Sequence, residues 1–403
     1  MLRKVLLILL YLYALTFSVL KTIRFPNDWS ESHWMLDYRF GFIKRGLAGE
    51  IFGWLFEKNE LTILILSAGT LFLLYASLFT IAVKETLKNE ISFYRILFFL
   101  IFFLSQYVVF SAHLIGYLDH IVFLLTILVI CLIKQKKIIL SSVIVTVCIL
   151  VHEVSFFLML PISCFALIVT QISDGFSFKT IFSISILKKL AVVIVLPLFT
   201  VISVSLYQEA NGENYFPLIF NYLRQIPFIS EKAADSVASA YTKSFSYYFK
   251  EESGSFIQRL FISKATIFYG IPILFCVWMI FKELKFRQNL QLFLLLLLIS
   301  CIPLLLHGIA YDTYRIWSFP FMIQFLGFWI LSSELKSVSI ETGKLSALEI
   351  CFFIISFILV SFVPNVLMDD ETERFSLTER LILVIPILFI IYLLRKFQPG
   401  NES

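Results

Sequence analysis

Residues 138–170 read IILSSVIVTVCILVHEVSFFLMLPISCFALIVT, and the only acidic, basic or imidazole side chains among them are His152 and Glu153. A run of about 20 apolar residues in a helix spans a hydrocarbon layer of about 30 Å. His152 and Glu153 divide this stretch into two shorter apolar runs. The pattern therefore predicts a pair of short or re-entrant membrane helices hinged at these two residues.

The composition of the whole chain agrees with a membrane environment. Of its 403 residues, 59% are hydrophobic and 15% are charged, whereas soluble domains average about 45–50% apolar and about 25% charged residues. We therefore predict an all-α integral membrane protein with about 12 transmembrane helices, residues 1–403 forming one domain with outer loops at 24–60 and 208–260. The predicted spans are 5–23 (an uncleaved first helix), 61–83, 93–112, 117–133, 138–151, 154–171, 187–206, 261–281, 290–306, 316–331, 347–364 and 381–394.

The distribution of Lys and Arg predicts which side each loop occupies. With the N-terminus inside, the cytoplasmic segments carry 18 basic residues, and the short outer loops carry three, Arg315, Arg374 and Arg380. Short cytoplasmic loops of membrane proteins are enriched in Lys and Arg. Both termini are therefore predicted to be cytoplasmic.

Charge and cysteine usage exclude several classes of function. The net charge of +5 is spread over many loops and forms no basic stripe, which argues against nucleic-acid binding. The six cysteines all lie inside apolar runs without metal-ligand spacing, so they read as packing residues. No ligand spacing demands a metal, and no motif indicates a cofactor.

Polar residues gather at the predicted outer ends of the spans, although ionisable groups are costly in hydrocarbon. They occur as acid and base neighbours or near neighbours, at Asp119, His120, His152, Glu153, His307, Asp312 and Arg315. We expect these groups to share one outer-face cavity with the first loop. The alternative is a set of scattered interfacial pairs that reach headgroup water.

The first outer loop is the most polar of these segments. Between Asp37 and Leu47 it places Gly41 and Gly46 around an adjacent lysine and arginine, and its charged candidates are Asp28, Asp37, Arg39, Lys44 and Arg45. Glycines allow close backbone approach, and a lysine beside an arginine suits a phosphate or diphosphate. Residues 47–56 have the spacing of a helix lying in the membrane interface. The alternative is a structural loop whose cations meet lipid headgroups.

Three motifs carry a resemblance to a known group of proteins. At DYRFGFIKRGLAGE (37–50), LVHEVSFFLMLP (150–161) and YDTYRIW (311–317), the chain resembles O-antigen and capsule polymerases of bacterial surface-polysaccharide synthesis, and more distantly the GT-C glycosyltransferases. The resemblance implies a GT-C-like or polymerase-like bundle in the bacterial inner membrane. It also implies a polyprenyl-phosphate-linked or diphosphate-linked sugar as partner, together with membrane lipids, and a catalytic acid in the first outer loop, matched by Asp28 or Asp37.

The resulting hypothesis is a membrane glycosyltransferase or polysaccharide polymerase working on the extracytoplasmic face. Arg39, Lys44, Arg45 and Arg315 are expected to hold the carrier phosphates, with Asp312, His307, Asp119 and His120 completing the substrate site. Asp37, Asp28 or Glu153 is expected to take the acceptor proton, with His152 orienting that base or sharing its role. The alternatives are a flippase or transporter for the same lipid-linked oligosaccharide, and a glycan acyltransferase with His152 as base.

Overall fold

The computed structural model describes residues 1–88, 92–171, 181–284, 290–335, 345–368 and 371–397, and all regular secondary structure in these ranges is helical. The N-terminal helices are α1 (Leu2–Leu20), α2 (Asp28–Met35), α3 (Gly46–Leu55), α4 (Glu60–Leu87), α5 (Phe93–Leu104), α6 (Gln106–His113), α7 (Asp119–Lys134), α8 (Ile138–Val151) and α9 (Ser155–Thr170). The C-terminal helices are α10 (Ile184–Leu223), α11 (Glu231–Thr242), α12 (Phe245–Glu252), α13 (Lys264–Phe268), α14 (Gly270–Glu283), α15 (Leu290–Cys301), α16 (Thr313–Glu334), α17 (Ala347–Ser361) and α18 (Leu377–Lys396). Short 3-10 turns lie at Tyr38–Phe40, Ser253–Ser255 and Ile302–Gly308, and a π-turn at Gln258–Ile262.

Within the described residues, eight helices are long and apolar enough to cross a membrane. They are Leu2–Leu20, Glu60–Leu87, Phe93–His113, Ile184–Leu223, Lys264–Glu283, Leu290–Gly308, Thr313–Glu334 and Leu377–Lys396. The other four predicted spans coincide with α7, α8, α9 and α17, which have 14–16 residues. At 1.5 Å per residue these are about 21–24 Å long, less than the hydrocarbon thickness of about 30 Å. Twelve crossings and cytoplasmic termini therefore stay predictions.

The centre of the bundle is a rod of aromatic and aliphatic residues. Helices α5 and α6 form one largely apolar segment that is buried from residue 95 to residue 113. In this segment Phe99 and Phe102 pack on Phe325 of α16, with ring centroids 5.5 Å and 4.3 Å apart. A helix that is apolar on every side belongs in the interior of a large bundle. The segment is thus the core around which the other helices pack.

The predicted hinge at His152 and Glu153 is present. Helix α8 ends at Val151 and α9 begins at Ser155. The Ser155 hydroxyl donates to the His152 carbonyl at 2.6 Å, so the turn between the helices is closed by its own side chain. Helices α7, α8 and α9 pack on one another, and α8 packs along α10. These three apolar helices of 14–16 residues therefore form one block.

The predicted loop 208–260 is largely helical. Helix α10 has 40 residues, so its last four turns extend into this segment, which also contains α11 and α12. Helix α11 packs on both α10 and α2. The two predicted outer loops are thereby joined into a single layer of short helices over one end of the bundle. Lys179, Lys285, Arg287, Lys336 and Lys344, which supported the topology prediction, lie outside the described residues.

Arg95, one of the basic residues assigned to a cytoplasmic loop, is buried in the bundle. Its Nε donates to Oε1 of the buried Glu283 at 2.5 Å, and its Nη1 donates to the Glu85 carbonyl at 2.9 Å. The pair joins α4, α5 and α14. Removing one partner of a buried ion pair leaves the other charge uncompensated, which costs about 3–5 kcal/mol.

We therefore expect Arg95→Met to lower the thermal midpoint of the detergent-solubilised protein strongly. The control Lys84→Met removes an exposed cation from the neighbouring α4 and should change this midpoint little. The double variant Arg95→Met/Glu283→Met removes both charges and should recover most of the loss, because apolar residues tolerate such a position. A double variant as unstable as Arg95→Met would contradict this assignment. Size-exclusion fluorescence after heating measures all three variants.

Candidate functional site

Four segments of the chain meet at the end of the bundle that the topology prediction places outside. Asp119 is the first residue of α7, His152 follows the last residue of α8, and Asp312 precedes α16. The fourth segment is the loop that ends at Arg45, before α3. The N-terminal ends of helices carry a partial positive charge that favours nearby carboxylates. The starts of α7 and α16 therefore suit the two aspartates.

The first half of the site joins the loop to the hinge. Arg45 Nε donates to Glu153 Oε2 at 2.7 Å, and Arg45 Nη2 donates to Glu153 Oε1 to complete a bidentate pair. The other neighbour of Glu153 Oε2 is His152 Nδ1, at 3.3 Å. His152 Nε2 lies 3.6 Å from Asp119 Oδ1. One imidazole therefore lies between two carboxylates.

The second half of the site joins α7 to α16. Arg315 Nε and Nη2 donate to Asp119 Oδ2 at 2.9 Å and 2.6 Å, and Arg315 Nη1 donates to Asp312 Oδ2 at 3.0 Å. One guanidinium is thus shared by two carboxylates. The full series of contacts, which we name the ionic chain, is Arg45, Glu153, His152, Asp119, Arg315 and Asp312.

The ionic chain is buried in the middle and open at two of its carboxylates. The side chains of His152 and Asp119 are 6% and 9% exposed, whereas those of Glu153 and Asp312 are 30% and 28% exposed. Charges in such a dry centre interact more strongly than in water. The accessible carboxylates of Glu153 and Asp312 are therefore positioned by the nearly dry pair of His152 and Asp119.

Aromatic rings cover both guanidinium groups of the ionic chain. Arg45 lies over the ring of Tyr241, with its Cζ 5.9 Å from the ring centroid, and Arg315 lies over Tyr117 at 5.5 Å. The Tyr241 hydroxyl is 3.1 Å from Nδ1 of the buried His33 on α2. Our sequence-based site omitted these three residues. Two features of the sequence could have indicated Tyr241 and His33. They are the many tyrosines after residue 208 and the predicted position of His33 on the outer side.

Lys44 is buried beside the ionic chain without joining it. Its Nζ donates to the Lys243 carbonyl at 2.8 Å and lies 5.0 Å from the centroid of the Tyr248 ring. Burial lowers the pKa of Lys44 to about 8, and nearby Glu153 opposes that change. Among the described residues, no carboxylate lies within ion-pair distance of Lys44. An anion could therefore contact Lys44 without displacing a described carboxylate partner.

The two glycines of the first loop do not leave room for a ligand. Gly41 has φ +97°, and a side chain there would meet the Tyr215 ring within 2.6 Å. A side chain at Gly46 would meet the Tyr38 ring within 2.8 Å. Aromatic rings occupy the space beside these glycines in which a phosphate was expected. The two glycines therefore let the rings pack against the loop backbone and do not form a phosphate site.

Asp37 and Arg39 form a separate cluster. Arg39 Nε and Nη2 donate to the Asp37 carboxylate at 2.7 Å and 2.6 Å, and Lys58 pairs with the same carboxylate. Burial favours a raised pKa for Asp37, but the hydrogen bonds from Arg39 and Lys58 outweigh it and hold that pKa at about 2. The Arg39 side chain is half exposed and stacks near Tyr222. No described contact joins this cluster to the ionic chain.

Three other predicted site residues also lie outside the ionic chain. Asp28 begins α2 and accepts hydrogen bonds from the Ser230 backbone and hydroxyl, which links α2 to the start of α11. His120 Nε2 lies 2.9 Å from the Ser111 carbonyl. His307 is buried with its ring centroid 6.4 Å from that of Trp317, and neither ring nitrogen has a described partner. The positions of these residues do not support one common pocket for all predicted groups.

Comparisons with known proteins leave the site to be interpreted from its own residues. No protein-family model, curated protein or solved structure matches this chain. Within the described ranges, no three His, Cys, Asp or Glu side chains are grouped to hold a metal ion.

The lowered pKa of Lys44 predicts a specific pH dependence of stability. Between about pH 8 and the usual lysine value of 10.5, the unfolded chain binds more protons than the folded chain, so stability rises with pH in this window. Lys44→Met should abolish about 3 kcal/mol of that rise. Thermal midpoints of both proteins at several pH values between 7.5 and 10.5 measure the difference. The exposed Lys250→Met is the control, and an equal effect there would contradict the assignment.

Proposed function

We propose that this protein is a membrane glycosyltransferase or polysaccharide polymerase that uses a polyprenyl-phosphate-linked or diphosphate-linked sugar on the extracytoplasmic face. The observation that carries the proposal is the ionic chain. It combines an accessible carboxylate, a neighbouring imidazole and two guanidinium groups at one end of an apolar helix bundle. Ionisable groups at membrane depth usually mark substrate or proton pathways.

Glu153 is the best candidate for the general base. In the proposed reaction an acceptor hydroxyl attacks the anomeric carbon, the bond from that carbon to the carrier phosphate breaks, and the hydroxyl proton passes to a carboxylate. Glu153 is accessible, and His152 holds one of its oxygens at 3.3 Å. Proton transfer by a positioned group typically contributes about 10²–10⁴-fold in rate. Asp28 and Asp37 are weaker candidates, because their described partners, Ser230 for Asp28 and Arg39 for Asp37, lie outside the ionic chain and include no imidazole.

The leaving phosphate needs cations to stabilise its charge. The site offers two arginines that are paired with carboxylates and one lysine that has no described carboxylate partner. Arg45 and Arg315 are each paired with carboxylates, so an incoming phosphate competes with these carboxylates for the guanidinium donors that they occupy. Within the described part of the chain, the polar contacts of the Lys44 ammonium are a carbonyl and an aromatic face. We therefore assign the first contact with the phosphate to Lys44. Transfer of Arg45 from Glu153 to that phosphate would then release the base at the moment when substrate binds.

Glu153→Gln should reduce transfer by at least about 10²-fold, because the amide keeps the shape of the carboxylate without its basicity. The matched control is Asp37→Asn, an equally conservative change at a carboxylate of the same outer layer but outside the ionic chain. We expect the control to lower abundance while activity per folded molecule is retained. Activity is the transfer from a polyprenyl-linked donor by purified protein, normalised to the folded fraction. Equal losses in both variants would contradict the role of Glu153.

Deletion of the gene tests the class of reaction. A polymerase predicts that long surface glycan chains disappear from a gel while the single-repeat product remains. Loss of every product would instead support a lipid-linked oligosaccharide flippase. The twelve predicted spans and the predicted cytoplasmic termini are also typical of such a transporter. Unchanged glycans of every length would contradict both proposals. Complementation with the unaltered gene is the control.

A further inference from the structure

A second site lies at the opposite end of the α7 and α8 pair. A cavity of about 430 Å³ opens between the turn joining α7 to α8 and the first turns of α10. Helix α8 begins at this cavity and ends at His152. Its 14 residues make it about 21 Å long, so the cavity is separate from the ionic chain.

The polar rim of the cavity consists of lysines. They are Lys136, Lys137, Lys188 and Lys189. Lys189 Nζ donates to Gln171 Oε1, whereas no carboxylate among the described residues pairs with the other three. None of the described residues that line the cavity is acidic. Four lysines thus surround one concave space, and the described residues provide no carboxylate to neutralise them. This arrangement favours an anionic ligand.

The remaining walls are apolar and face outward. Ile139 is 74% exposed, and Leu140 and Val192 are also exposed beside the lysines. These side chains continue the outer surfaces of α8 and α10. A soluble anion would gain nothing from such walls, whereas an acyl chain would cover them. The site therefore matches a molecule with an anionic head and an apolar tail.

The short length of the helices explains why the lysines gather here. Helices α7 and α8 have 16 and 14 residues, so a bilayer of about 30 Å exceeds the helix pair by several ångströms. Lysines at such a boundary extend their ammonium groups toward the lipid phosphates. Basic pockets between helix ends are the sites at which anionic lipid headgroups bind.

We propose that this cavity, which we name the lysine cavity, binds one anionic phospholipid. The headgroup phosphate lies among Lys136, Lys137, Lys188 and Lys189, and an acyl chain lies along Ile139 and Val192. A volume of about 430 Å³ falls within the range of about 300–1,000 Å³ typical of small-ligand pockets. The lipid would brace α8 against α10, and thereby the hinge that holds Glu153.

Native mass spectrometry of the full chain tests the proposal. The detergent-solubilised protein is titrated with phosphatidylglycerol, and separately with phosphatidylcholine of the same acyl chains. We expect one phosphatidylglycerol to bind more tightly than any later lipid, and the quadruple variant K136Q/K137Q/K188Q/K189Q to weaken that one event at least about tenfold. The matched control, K4Q/K84Q/R395Q/K396Q, removes the same charge from exposed helix ends elsewhere on the same predicted side and should retain it.

Each other result overturns the proposal. Equal weakening in both quadruple variants would indicate unspecific attraction to anionic lipid. Equal affinity for phosphatidylcholine would indicate an apolar groove without headgroup selection. Displacement by glycerol phosphate at concentrations equal to those of the lipid would indicate a site for a soluble anion. Retention of the tight event in the lysine variant would place that lipid elsewhere.

Discussion

A charged side chain buried among apolar helices needs a counter-charge or a hydrogen-bonding partner within the protein, because hydrocarbon offers neither. This constraint explains two of the buried ionic groupings of the bundle. Arg95 and Glu283 tie α5 to α14, and the ionic chain ties the first loop, the hinge, α7 and α16 together. Charges that would each be costly alone therefore hold together helices whose surfaces are otherwise largely apolar.

The same constraint shapes the chemistry available at the ionic chain. In the proposed reaction, an anionic substrate would compete with the carboxylate partners of both arginines. Replacement of Glu153 at Arg45 would link substrate binding to the release of that base, while the buried His152 and Asp119 hold the surrounding geometry. Lys44 differs, since a carbonyl and an aromatic face hold it. In the proposed reaction, Lys44 would make the first contact with the substrate, and the two arginines would respond to it.

Helix length connects the two ends of the α7 and α8 pair. Both helices are shorter than a typical bilayer is thick, so the predicted crossings would place their ends nearer to the membrane interior than those of longer neighbours. One end carries the ionic chain and the other carries the lysine cavity. A lipid bound at the second end would act on the first through a single rigid helix of 14 residues.

The sequence by itself determined the helical membrane class, the break at His152 and Glu153, and the positions of the polar residues at helix ends, because hydropathy and turn chemistry are local properties. Only the tertiary structure decided that Arg45 rather than Arg39 reaches Glu153, and that Asp119 shares Arg315 with Asp312. These partners are 108 and 196 residues apart. Helices that are apolar on all sides carry no pattern that identifies their neighbours, so the pairing of distant charges follows from packing alone.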